Sequence, residues 1–598
     1  MGLREVLTPF TVWKHVFDDP VTIKQPIGRP AAERYRGFHQ NDLDTCIGCG
    51  TCEAICQNGA IDMVAVAGYD PEKGNSGLKP QIDYGRCCWC ALCVDVCMTG
   101  SLTMSNEYTW VDTDPDAFRF VPGLEEPWKD DEEGYEREGK RVLSGIERIH
   151  MEEMEPEARI GNFDEIVAGY SRAEAILEAD RCVECGLCVA TCPAHMSIPD
   201  YIAAVRDQDY DRGLQLLYET NPFSEVCGRV CTHKCEGSCA ALHEGDPIAI
   251  RWLKRHIIDE VPFDRRIELI GQPAEPTGRK VAIIGAGPAG LTAAFDLARA
   301  GHGVVVYEAL AHAGGMMRYG IPEYRLPYDA LDRDIGVIEA MGVEIRTNCR
   351  VGRDVTMDEL RRDHDAVVLT IGLHMGRSTR VPGTEGAGVE KAVDLLRRIT
   401  DGEKVPLAEQ IVVIGGGNVA MDIARSMARL QKAEFGKVGI TLTALEDIDH
   451  FLADPEEVVE SREEGVKIFD ARGPQEVMRD AEGKVTGLRT WRVKSIFDAE
   501  GRFAPAYDQS DERVHAGSMV IEAIGQAADT SLLGAALTEA LEWNRGRIKI
   551  DTAFRTSEPW LFAAGDAVKG PDVISAVADG HRVARTVMEK LAAREVAQ

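Results

Sequence analysis

The cysteines are the residues of this chain whose type and spacing point most directly to chemistry. Nearly all of its 18 cysteines fall into four short groups. The groups are Cys46, Cys49, Cys52 and Cys56; Cys87, Cys90, Cys93 and Cys97; Cys182, Cys185, Cys188 and Cys192; and Cys227, Cys231, Cys235 and Cys239. The first three share the spacing CxxCxxCxxxC, which is typical of proteins that hold 4Fe-4S clusters on thiolates. Zinc is the alternative, but tetrahedral zinc sites usually combine two separated CxxC pairs.

The same spacing predicts how the first two groups divide between clusters. Three thiolates of one group wrap a cluster, and the fourth reaches the neighbouring cluster. The two expected sets are Cys46, Cys49, Cys52 and Cys97, and Cys87, Cys90, Cys93 and Cys56. Cys88 and Cys349 fall outside the pattern, and we interpret them as packed side chains rather than ligands.

A glycine-rich loop within residues 280–290, KVAIIGAGPAG, indicates a dinucleotide site. The loop joins an apolar strand to a helix-like segment, which is the context that this motif requires. Gly285 is expected to make the tight turn and Gly287 to let the backbone approach a pyrophosphate. Gly290 is expected to let the helix pack on the strand. Glu308 closes the next apolar strand, where a carboxylate can bond the ribose.

A second glycine-rich loop follows in IVVIGGGNVA, residues 411–420. Gly415, Gly417 and Ala420 take the three glycine positions, and Asn418 is a further expected nucleotide contact. Two such motifs predict two dinucleotides, although the second could also be a Rossmann domain that only packs. Glu446 stands near the end of the next strand, where a carboxylate bonds a 2′-hydroxyl and repels a 2′-phosphate. The sequence therefore predicts NADH in preference to NADPH.

Length and charge limit the elements that can position these residues. A chain of 598 residues predicts about four domains. Its net charge of −32 repels phosphate backbones, which disfavours nucleic acid as a partner. The longest apolar stretch, residues 281–295, is glycine-rich and shorter than the roughly 18 residues of a membrane span. The first residues carry no apolar leader, so we expect a cytoplasmic protein without a transmembrane segment.

Residues 1 to about 110 resemble the two-cluster ferredoxin subunit of respiratory complex I and related hydrogenases. The resemblance rests on both cysteine groups and on WKHVFDDPVTIKQP at residues 13–26, RYRGFH at 34–39 and NEY at 106–108. In that family the module passes electrons between subunits, so the resemblance implies a docking role. The alternative is that the amphipathic start packs on later domains of the same chain.

Residues from about 160 to 598 resemble the small subunit of glutamate synthase and its relatives, including the N-terminal half of dihydropyrimidine dehydrogenase. Besides the glycine loops, the resemblance rests on GGMMRYGIPEYRLP at residues 314–327, VPGTEGAGV at 381–389, EAIGQAAD at 522–529 and LFAAGDAVKGPDVISAVADGHRVA at 561–584. In that family the first glycine loop binds FAD, and an inserted second domain binds the nicotinamide nucleotide.

These resemblances imply a multidomain α/β and α+β fold with two Rossmann-like domains. The expected segments are a two-cluster ferredoxin domain (1–111), an acidic linker (112–160), a helical 4Fe-4S domain (161–275), an FAD domain in two parts (276–385 and 526–598) and an inserted NAD(P) domain (386–525). The FAD contacts that the resemblance carries over are Gly285, Gly287, Gly290, Glu308, Gly315, Val351, Gly565 and Asp566. A helix that starts near Val573 would turn backbone amides toward the flavin and its phosphates.

The resemblance also implies how the later cysteines divide. One cluster would take Cys182, Cys185, Cys188 and Cys239, and another would take Cys192, Cys231 and Cys235. Relatives often place Gln or Glu as the last ligand where this chain has Lys254, which cannot bind iron while protonated. Cys227 is the reserve candidate. NADPH-dependent relatives carry two arginines where this chain has Leu445 and Glu446, so the resemblance does not carry NADPH specificity over.

These features together predict a flavin- and iron–sulfur-dependent NAD(P)H oxidoreductase. A hydride passes from NADH to FAD, and electrons leave singly through up to four 4Fe-4S clusters. No catalytic side chain is named, because hydride transfer requires the alignment of two rings. The expected partner is a ferredoxin, a 2-oxoacid oxidoreductase, a hydrogenase or a similar redox subunit in a hetero-oligomer. The direction of flow and electron bifurcation stay open.

Two alternative functions are also compatible with these sequence features. One is the NADPH-dependent small subunit of glutamate synthase, and the other is a non-enzymatic adaptor that only conducts electrons. We interpret His374, in IGLHMG, as an exposed loop or packing residue rather than a ligand.

Overall fold

The computed structural model describes residues 8–19, 22, 32–108, 110–124, 134–139, 147–570 and 572–596. The first residues, on which the expected absence of a leader rests, lie outside the described residues, as do 125–133 and 140–146 of the predicted linker. The chain divides into two compact units. The first contains residues 1–147 and 238–247, and the second contains residues 148–237 and 248–598. Cys239, predicted to lie in the helical domain, thus belongs to the first unit.

The first unit is built from short elements between its cysteines. Its strands are His39–Asn41 paired with Leu102–Met104, and an antiparallel sheet of Ile61–Ala65, Leu78–Asp83 and Arg119–Phe120. Its helices and 3₁₀ turns are Thr8–His15, Thr51–Ile55, Leu92–Asp95, Pro115–Phe118 and Ala240–His243. Phe38, Ile82 and Tyr84 are buried in its core together with apolar side chains around the cysteine groups.

The second unit begins with a helical region. Its helices are Pro156–Arg159, Arg172–Ala179, Leu187–Thr191, Ile198–Arg206, Tyr210–Tyr218, Ser224–Val230, Ile250–Glu260 and Phe263–Ile270. Local sequence explains where some of them begin. The Ser171 hydroxyl accepts the Glu174 amide and the Glu174 carboxylate accepts the Ser171 amide, a capping box that starts Arg172–Ala179.

A five-stranded parallel sheet forms the first Rossmann-like domain of this unit. Its strands in spatial order are Leu561–Ala563, Ala366–Leu369, Lys280–Ile284, Gly303–Tyr307 and Glu344–Arg346. Its helices are Pro288–Arg299, Met316–Tyr319, Tyr328–Ala340, Met357–Asp363, Gly534–Ala540 and Val573–Val596. Apart from the exposed Lys280, the strands Ala366–Leu369 and Lys280–Ile284 are apolar and buried, as expected where helices cover both faces of a parallel sheet.

A second five-stranded parallel sheet lies between the two halves of the first in sequence. Its strands in spatial order are Val389–Lys391, Met519–Glu522, Ile411–Ile414, Ile440–Thr443 and Lys467–Phe469. Its helices are Ala392–Thr400, Asn418–Phe435 and Pro455–Glu463. An antiparallel sheet of Arg472–Arg479, Val485–Phe497 and Phe503–Ala516 extends it. The chain leaves and re-enters the first domain through paired strands, Met375–Gly376 and Gln526–Ala527.

A buried ionic network fixes the helix after the second glycine loop. Arg425 and Arg429 lie one turn apart on this helix, and both donate to the carboxylate of Glu464, at 2.7 and 2.6 Å. Arg325, from the first Rossmann-like domain, donates to Asp422 on the same helix at 2.8 Å. Because these charges are buried, each depends on its partners. The network therefore holds the two dinucleotide folds in one arrangement.

The described part of the chain contains no helix that is both long enough and apolar enough to cross a membrane.

Candidate functional site

The first glycine loop has the close contacts that its sequence predicts. Gly285 has a φ of 103°, and a Cβ there would lie 2.6 Å from the carbonyl oxygen of Thr370. A Cβ on Gly290 would lie 2.2 Å from the carbonyl oxygen of Gly285. A Cβ on Gly287 would meet nothing nearer than 4.0 Å. Gly285 and Gly290 are thus required by packing, and Gly287 leaves open space above the helix N-terminus, where a pyrophosphate can lie.

Glu308 is held in place by the backbone around this loop. Its carboxylate accepts the Ala286 amide at 2.9 Å and the Leu310 amide at 2.8 Å. The residue is buried, and burial raises the pKa of its carboxyl group. A fixed carboxylate at this strand end is suited to bind ribose hydroxyls.

A cavity runs from this loop along the carboxyl edge of the first sheet. Of the predicted FAD contacts, Gly290 packs beneath the loop, and the others line this cavity. They are Gly285, Gly287, Glu308, Gly315, Val351, Gly565, Asp566 and Val573. Val573 starts the long helix Val573–Val596, so the amides of its first turn lie at the cavity. Burial raises the pKa of Asp566 to about 6.

The same cavity reaches two other parts of the second unit. Asn418, at the start of the helix after the second glycine loop, lines it from the second Rossmann-like domain. At another point it is lined by Val230 and Thr232, which flank Cys231. One cavity is therefore lined by residues of both dinucleotide folds and by the two neighbours of a predicted cluster ligand.

His374 also lines this cavity. It lies in a loop, as we interpret it from the sequence, but it is half-buried rather than exposed. Arg397 donates to its backbone oxygen at 3.3 Å. Burial and the charges of Arg397 and Arg350 lower the pKa of its imidazole to about 4. No spacing rule in the sequence pointed to this position. Its neighbour Met375 begins one of the strands that connect the two domains, which brings both residues to the cavity.

The second glycine loop repeats the geometry of the first. Gly415 has a φ of 149°, and a Cβ there would lie 2.4 Å from the carbonyl oxygen of Ala523. Gly417 caps the helix Asn418–Phe435, and Ala420 is buried beneath the loop. Glu446 lies against this loop, with its Oε2 2.9 Å from the position of a Cβ on Gly416. The carboxylate thus lies where the ribose of a bound dinucleotide is expected.

The three CxxCxxCxxxC groups share one local structure. In each, a residue with left-handed φ precedes a short helix that carries the third cysteine. These residues are Gly50, Ala91 and Gly186, with φ of 74°, 68° and 77°. The reversal wraps the cysteines of a group around one point, as a cubane cluster requires.

The cysteines of the first two groups lie near one another in the first unit. Cys46, Cys49, Cys52 and Cys97 line one small cavity. After burial, which is the largest cause, the charges of the other three cysteines of its set raise the pKa of the Cys93 thiol to about 12. The three are Cys87, Cys90 and Cys56. Within the described ranges, no three Cys, His, Asp or Glu side chains form a site for a single metal ion.

The polar surroundings of the first set fit an anionic cluster. The side chain of Asn41 lines the cavity, and neither its oxygen nor its nitrogen has a hydrogen-bond partner, although both atoms are buried. The hydroxyls of Thr51 and Ser101 lie 3.1 Å from the sulfur of Cys49 and 3.5 Å from that of Cys97. Such donors stabilise thiolates that ligate iron.

The helical region gathers the cysteines of another predicted cluster. Burial lowers the pKa of the Lys254 ammonium, and the charges of four nearby cysteines, Cys231, Cys227, Cys192 and Cys235, outweigh this and raise it. The buried hydroxyl of Tyr201 has no hydrogen-bond partner among the described residues and lies near Cys235, Cys188, Cys192 and Cys231. A cation and an unpartnered hydroxyl beside three thiols also fit an anionic group.

Cys227 lies one helical turn before Cys231 and is fully buried. Its carbonyl oxygen accepts the ammonium of Lys254 at 3.3 Å. Lys254 therefore lies directly beside the reserve ligand candidate as well as beside the three predicted ligands.

Three family models match the chain. A 4Fe-4S dicluster domain matches residues 45–101, and dihydropyrimidine dehydrogenase domain II, with a 4Fe-4S cluster, matches residues 159–264. The pyridine nucleotide-disulphide oxidoreductase model matches residues 279–580, about half of the chain.

Several curated proteins are similar over about 70% of the chain. The NADP(+)-dependent formate dehydrogenase subunit beta of Moorella thermoacetica is 39% identical over 430 residues, and the match covers 68% of this chain and 60% of that protein. The NAD-dependent dihydropyrimidine dehydrogenase subunit PreT of Escherichia coli is 35% identical, with 71% and 96% covered. The glutamate synthase (NADPH) small chain of Escherichia coli is 33% identical, with 72% and 94% covered.

Among solved structures, Mycobacterium tuberculosis FprA in complex with NADPH is similar, with a TM-score of 0.46 and 20% identity. The match covers 54% of this chain and 86% of that one.

Proposed function

This chain belongs to the pyridine nucleotide-disulphide oxidoreductase family and is a flavin- and iron–sulfur-dependent NAD(P)H oxidoreductase, and from this premise we propose that it passes electrons between NADH and a partner redox protein. The family resemblance and the fold class predicted from the sequence are confirmed. The observation that carries the proposal is the cavity that is lined by residues of both glycine-loop folds and by Val230 and Thr232, the residues on either side of Cys231.

FAD is assigned to the first Rossmann-like domain. The backbone at Gly287 and the N-terminus of Val573–Val596 would hold its phosphates, while Glu308 would bind the adenosine ribose. When bound, FAD accepts a hydride and releases electrons one at a time. The remaining lining residues, including Gly565 and Asp566, would orient the flavin and exclude water from it.

NADH is assigned to the second Rossmann-like domain. The named relatives include both NAD-dependent and NADP-dependent proteins, so their names do not decide the nucleotide. Glu446 supports NADH, because its carboxylate lies against the glycine loop, where it would accept the 2′-hydroxyl and repel a 2′-phosphate. Asn418 would place the nucleotide in the shared cavity.

Four 4Fe-4S clusters are proposed on the four cysteine groups. Cys231 belongs to the one nearest the FAD cavity, since its neighbours Val230 and Thr232 line that cavity. The two sets in the first unit would carry electrons onward. Because these cysteines must stay reduced to hold clusters, we propose the cytoplasm as the location.

The fourth ligand beside Cys192, Cys231 and Cys235 is assigned to Cys227. Cys227 lies in the helix Ser224–Val230 and Cys231 follows directly as its C-cap residue, so the two cysteines are close in the chain, and both lie near Lys254. The test compares Cys227→Ala with Cys231→Ala by iron content and by cluster spectra. Equal losses support the assignment, whereas full iron in Cys227→Ala would leave this cluster with three protein thiolates.

The partner is proposed to be another redox subunit, of the kind represented by a 2-oxoacid oxidoreductase, a hydrogenase or a ferredoxin. Relatives include proteins named as subunits of formate dehydrogenase, dihydropyrimidine dehydrogenase and glutamate synthase. The relative potentials of NADH and the partner would set the direction of flow.

The experiment is an anaerobic titration of the reconstituted full chain with NADH and, separately, with NADPH. Fast bleaching of flavin and cluster absorption by NADH, with NADPH much slower, is the expected result. Faster bleaching by NADPH would contradict the role of Glu446 and favour the glutamate synthase-like alternative. No flavin bleaching by either nucleotide would favour the non-enzymatic adaptor.

A further inference from the structure

A buried histidine contacts a cluster ligand in the first unit. His39 begins the strand His39–Asn41 and is 1% exposed. Its ring nitrogen Nε2 lies 3.2 Å from the sulfur of Cys93, a cysteine of the second predicted set. The histidine lies 54 residues before that cysteine, so folding rather than sequence proximity brings them together.

The hydroxyl of Tyr84 lies beside the other nitrogen of this ring. It accepts the backbone amide of His39 at 2.9 Å, and it also lies 3.2 Å from the ring nitrogen Nδ1. Its single proton can then be donated to Nδ1, which accepts it. In a neutral imidazole whose Nδ1 accepts, Nε2 holds the hydrogen and donates it to the sulfur of Cys93.

Other sulfurs of the same set receive hydrogen bonds from the backbone. The amide of Ala60 donates to Cys56 at 3.3 Å, and the amide of Trp89 donates to Cys87 at 3.4 Å. Backbone donors come with the fold around the cysteines, whereas His39 adds a side-chain donor from a separate strand. This makes its contribution to the cluster separable by substitution.

We propose that His39 sets the reduction potential of the cluster on Cys87, Cys90, Cys93 and Cys56, through an N–H···S hydrogen bond that Tyr84 orients. The proposal rests on the cluster assignment of the proposed function. A hydrogen bond to a ligand sulfur withdraws negative charge from the cluster and stabilises the reduced form, so the potential rises. His39 is a positioning residue in this sense and ligates no iron.

The consequence is a difference between two adjacent clusters. The first set has hydroxyl neighbours at Thr51 and Ser101, whereas the second has a buried imidazole N–H. The proposed hydrogen bond raises the potential of the second cluster, so an electron that enters this module is held there more than it would be without His39.

The test is redox potentiometry of the full reconstituted chain, followed by electron paramagnetic resonance. His39→Phe keeps an aromatic ring but removes the donor, so the potential of one cluster should fall. Loss of one net hydrogen bond to a charged sulfur predicts up to about a tenfold change in the reduction equilibrium, which for one electron is about 59 mV. Tyr84→Phe should give a smaller fall, because Nε2–H is kept but no longer oriented.

Two further variants complete the design. His39→Gln should recover part of the shift, because its amide N–H can reach the sulfur. His15→Gln is the control, since His15 is exposed on the N-terminal 3₁₀ turn and should change nothing.

The outcomes separate this proposal from the proposed function. If the wild-type chain does not hold two clusters in its first unit, the cluster assignment of the proposed function is wrong. Full cluster content with unchanged potentials in His39→Phe would overturn the role of His39 alone. If His39→Phe fails to assemble the cluster, Tyr84→Phe and His39→Gln decide, and unchanged potentials in both would equally overturn it.

Discussion

The two dinucleotide folds of this chain share one motif but differ in how firmly it is built. In the first fold, Glu308 is bonded to two backbone amides of its own domain, and its carboxylate is fixed before any ligand binds. In the second, Glu446 lies against Gly416 and is only half-buried. At the third glycine position the first fold has no room for a Cβ on Gly290, whereas the second accommodates Ala420.

This difference matches the two kinds of ligand that we assign. A resident cofactor such as FAD gains affinity from a site that is ordered in advance, because little entropy is lost on binding. A nucleotide that must leave after each turnover needs a site that binds less tightly. The comparison teaches that the contacts around a glycine motif, beyond the glycines themselves, indicate whether a bound dinucleotide stays or exchanges.

The largest expected effect is a loss of FAD when Gly290, at the third glycine position of the first loop, is replaced by alanine, the residue that the second loop has at the same position. Gly290→Ala places a Cβ 2.2 Å from the carbonyl oxygen of Gly285, which must shift the phosphate loop. We expect the purified variant to retain less than about a tenth of its FAD, a loss of more than about 1.4 kcal/mol in binding. Flavin released on denaturation, relative to protein and iron, measures it.

The reciprocal change is the control. Ala420→Gly places a glycine at the third position of the motif in the second loop, which should cost up to about 1 kcal/mol of helix stability and leave FAD bound. Stoichiometric FAD in Gly290→Ala would contradict the difference in packing between the two loops.

The next effect concerns the stability of the second fold alone. Glu464 accepts hydrogen bonds from Arg159, Arg425 and Arg429, and all four are buried. Glu464→Gln removes the carboxylate and leaves buried guanidinium charges, so unfolding of this fold should become easier by about 3 kcal/mol. Thermal unfolding followed by NADH-dependent flavin reduction measures it, because FAD stays on the first fold.

Its neighbour Glu463 provides a matched control. Glu463 also pairs with Arg159, but its side chain is 44% exposed. Glu463→Gln should change stability by less than about 1 kcal/mol, as exposed pairs do. Similar losses in the two variants would show that burial of the network is not what stabilises the second fold.

A smaller effect is expected on nucleotide discrimination. Glu446→Gln removes the charge that would repel a 2′-phosphate and weakens the acceptor for a 2′-hydroxyl. We expect kcat/KM for NADH to fall about tenfold or more, as loss of a charged hydrogen bond implies, while NADPH improves. Steady-state rates with both nucleotides measure it, and Glu308→Gln should instead weaken FAD binding. An unchanged NADH-to-NADPH ratio in Glu446→Gln would contradict the assignment of NADH to this carboxylate.

The comparison also shows which parts of the site the sequence could predict. Motifs with a fixed spacing, such as the first glycine loop, predicted local geometry, because strand, turn and helix are neighbours in the chain. Residues brought together by tertiary packing carried no such signal. His39 meets Cys93 across 54 residues, and His374 reaches the FAD cavity through an interdomain strand. The insertion of the second fold came from resemblance, since periodicity cannot show that Ala366–Leu369 pairs with Leu561–Ala563.

The smallest expected effect arises from the carboxyls of the first fold when FAD is removed. Burial raises the pKa of Asp566 from 3.8 to about 6, so the folded apoprotein binds a proton that the unfolded chain has lost. The contribution of this proton to the stability of the folded apoprotein is fully present below about pH 4 and is lost as the pH rises through about 6. Because Asp566 is partly exposed, we expect a decline of about 1 kcal/mol across this window.

Comparison with Asp566→Asn isolates this contribution from the other titrating groups. Denaturant unfolding of the FAD-free chain at pH 4.5 and pH 7, in wild type and variant, gives the difference. The wild type should lose more stability than the variant as pH rises. An equal change in the free energy of unfolding of both proteins would mean that burial in the empty cavity does not raise the pKa of Asp566. The charged carboxylates of the first fold destabilise that fold while its cavity is empty, so its stability depends on bound FAD. In this respect we expect the first fold to differ from the second, to which we assign a nucleotide that exchanges.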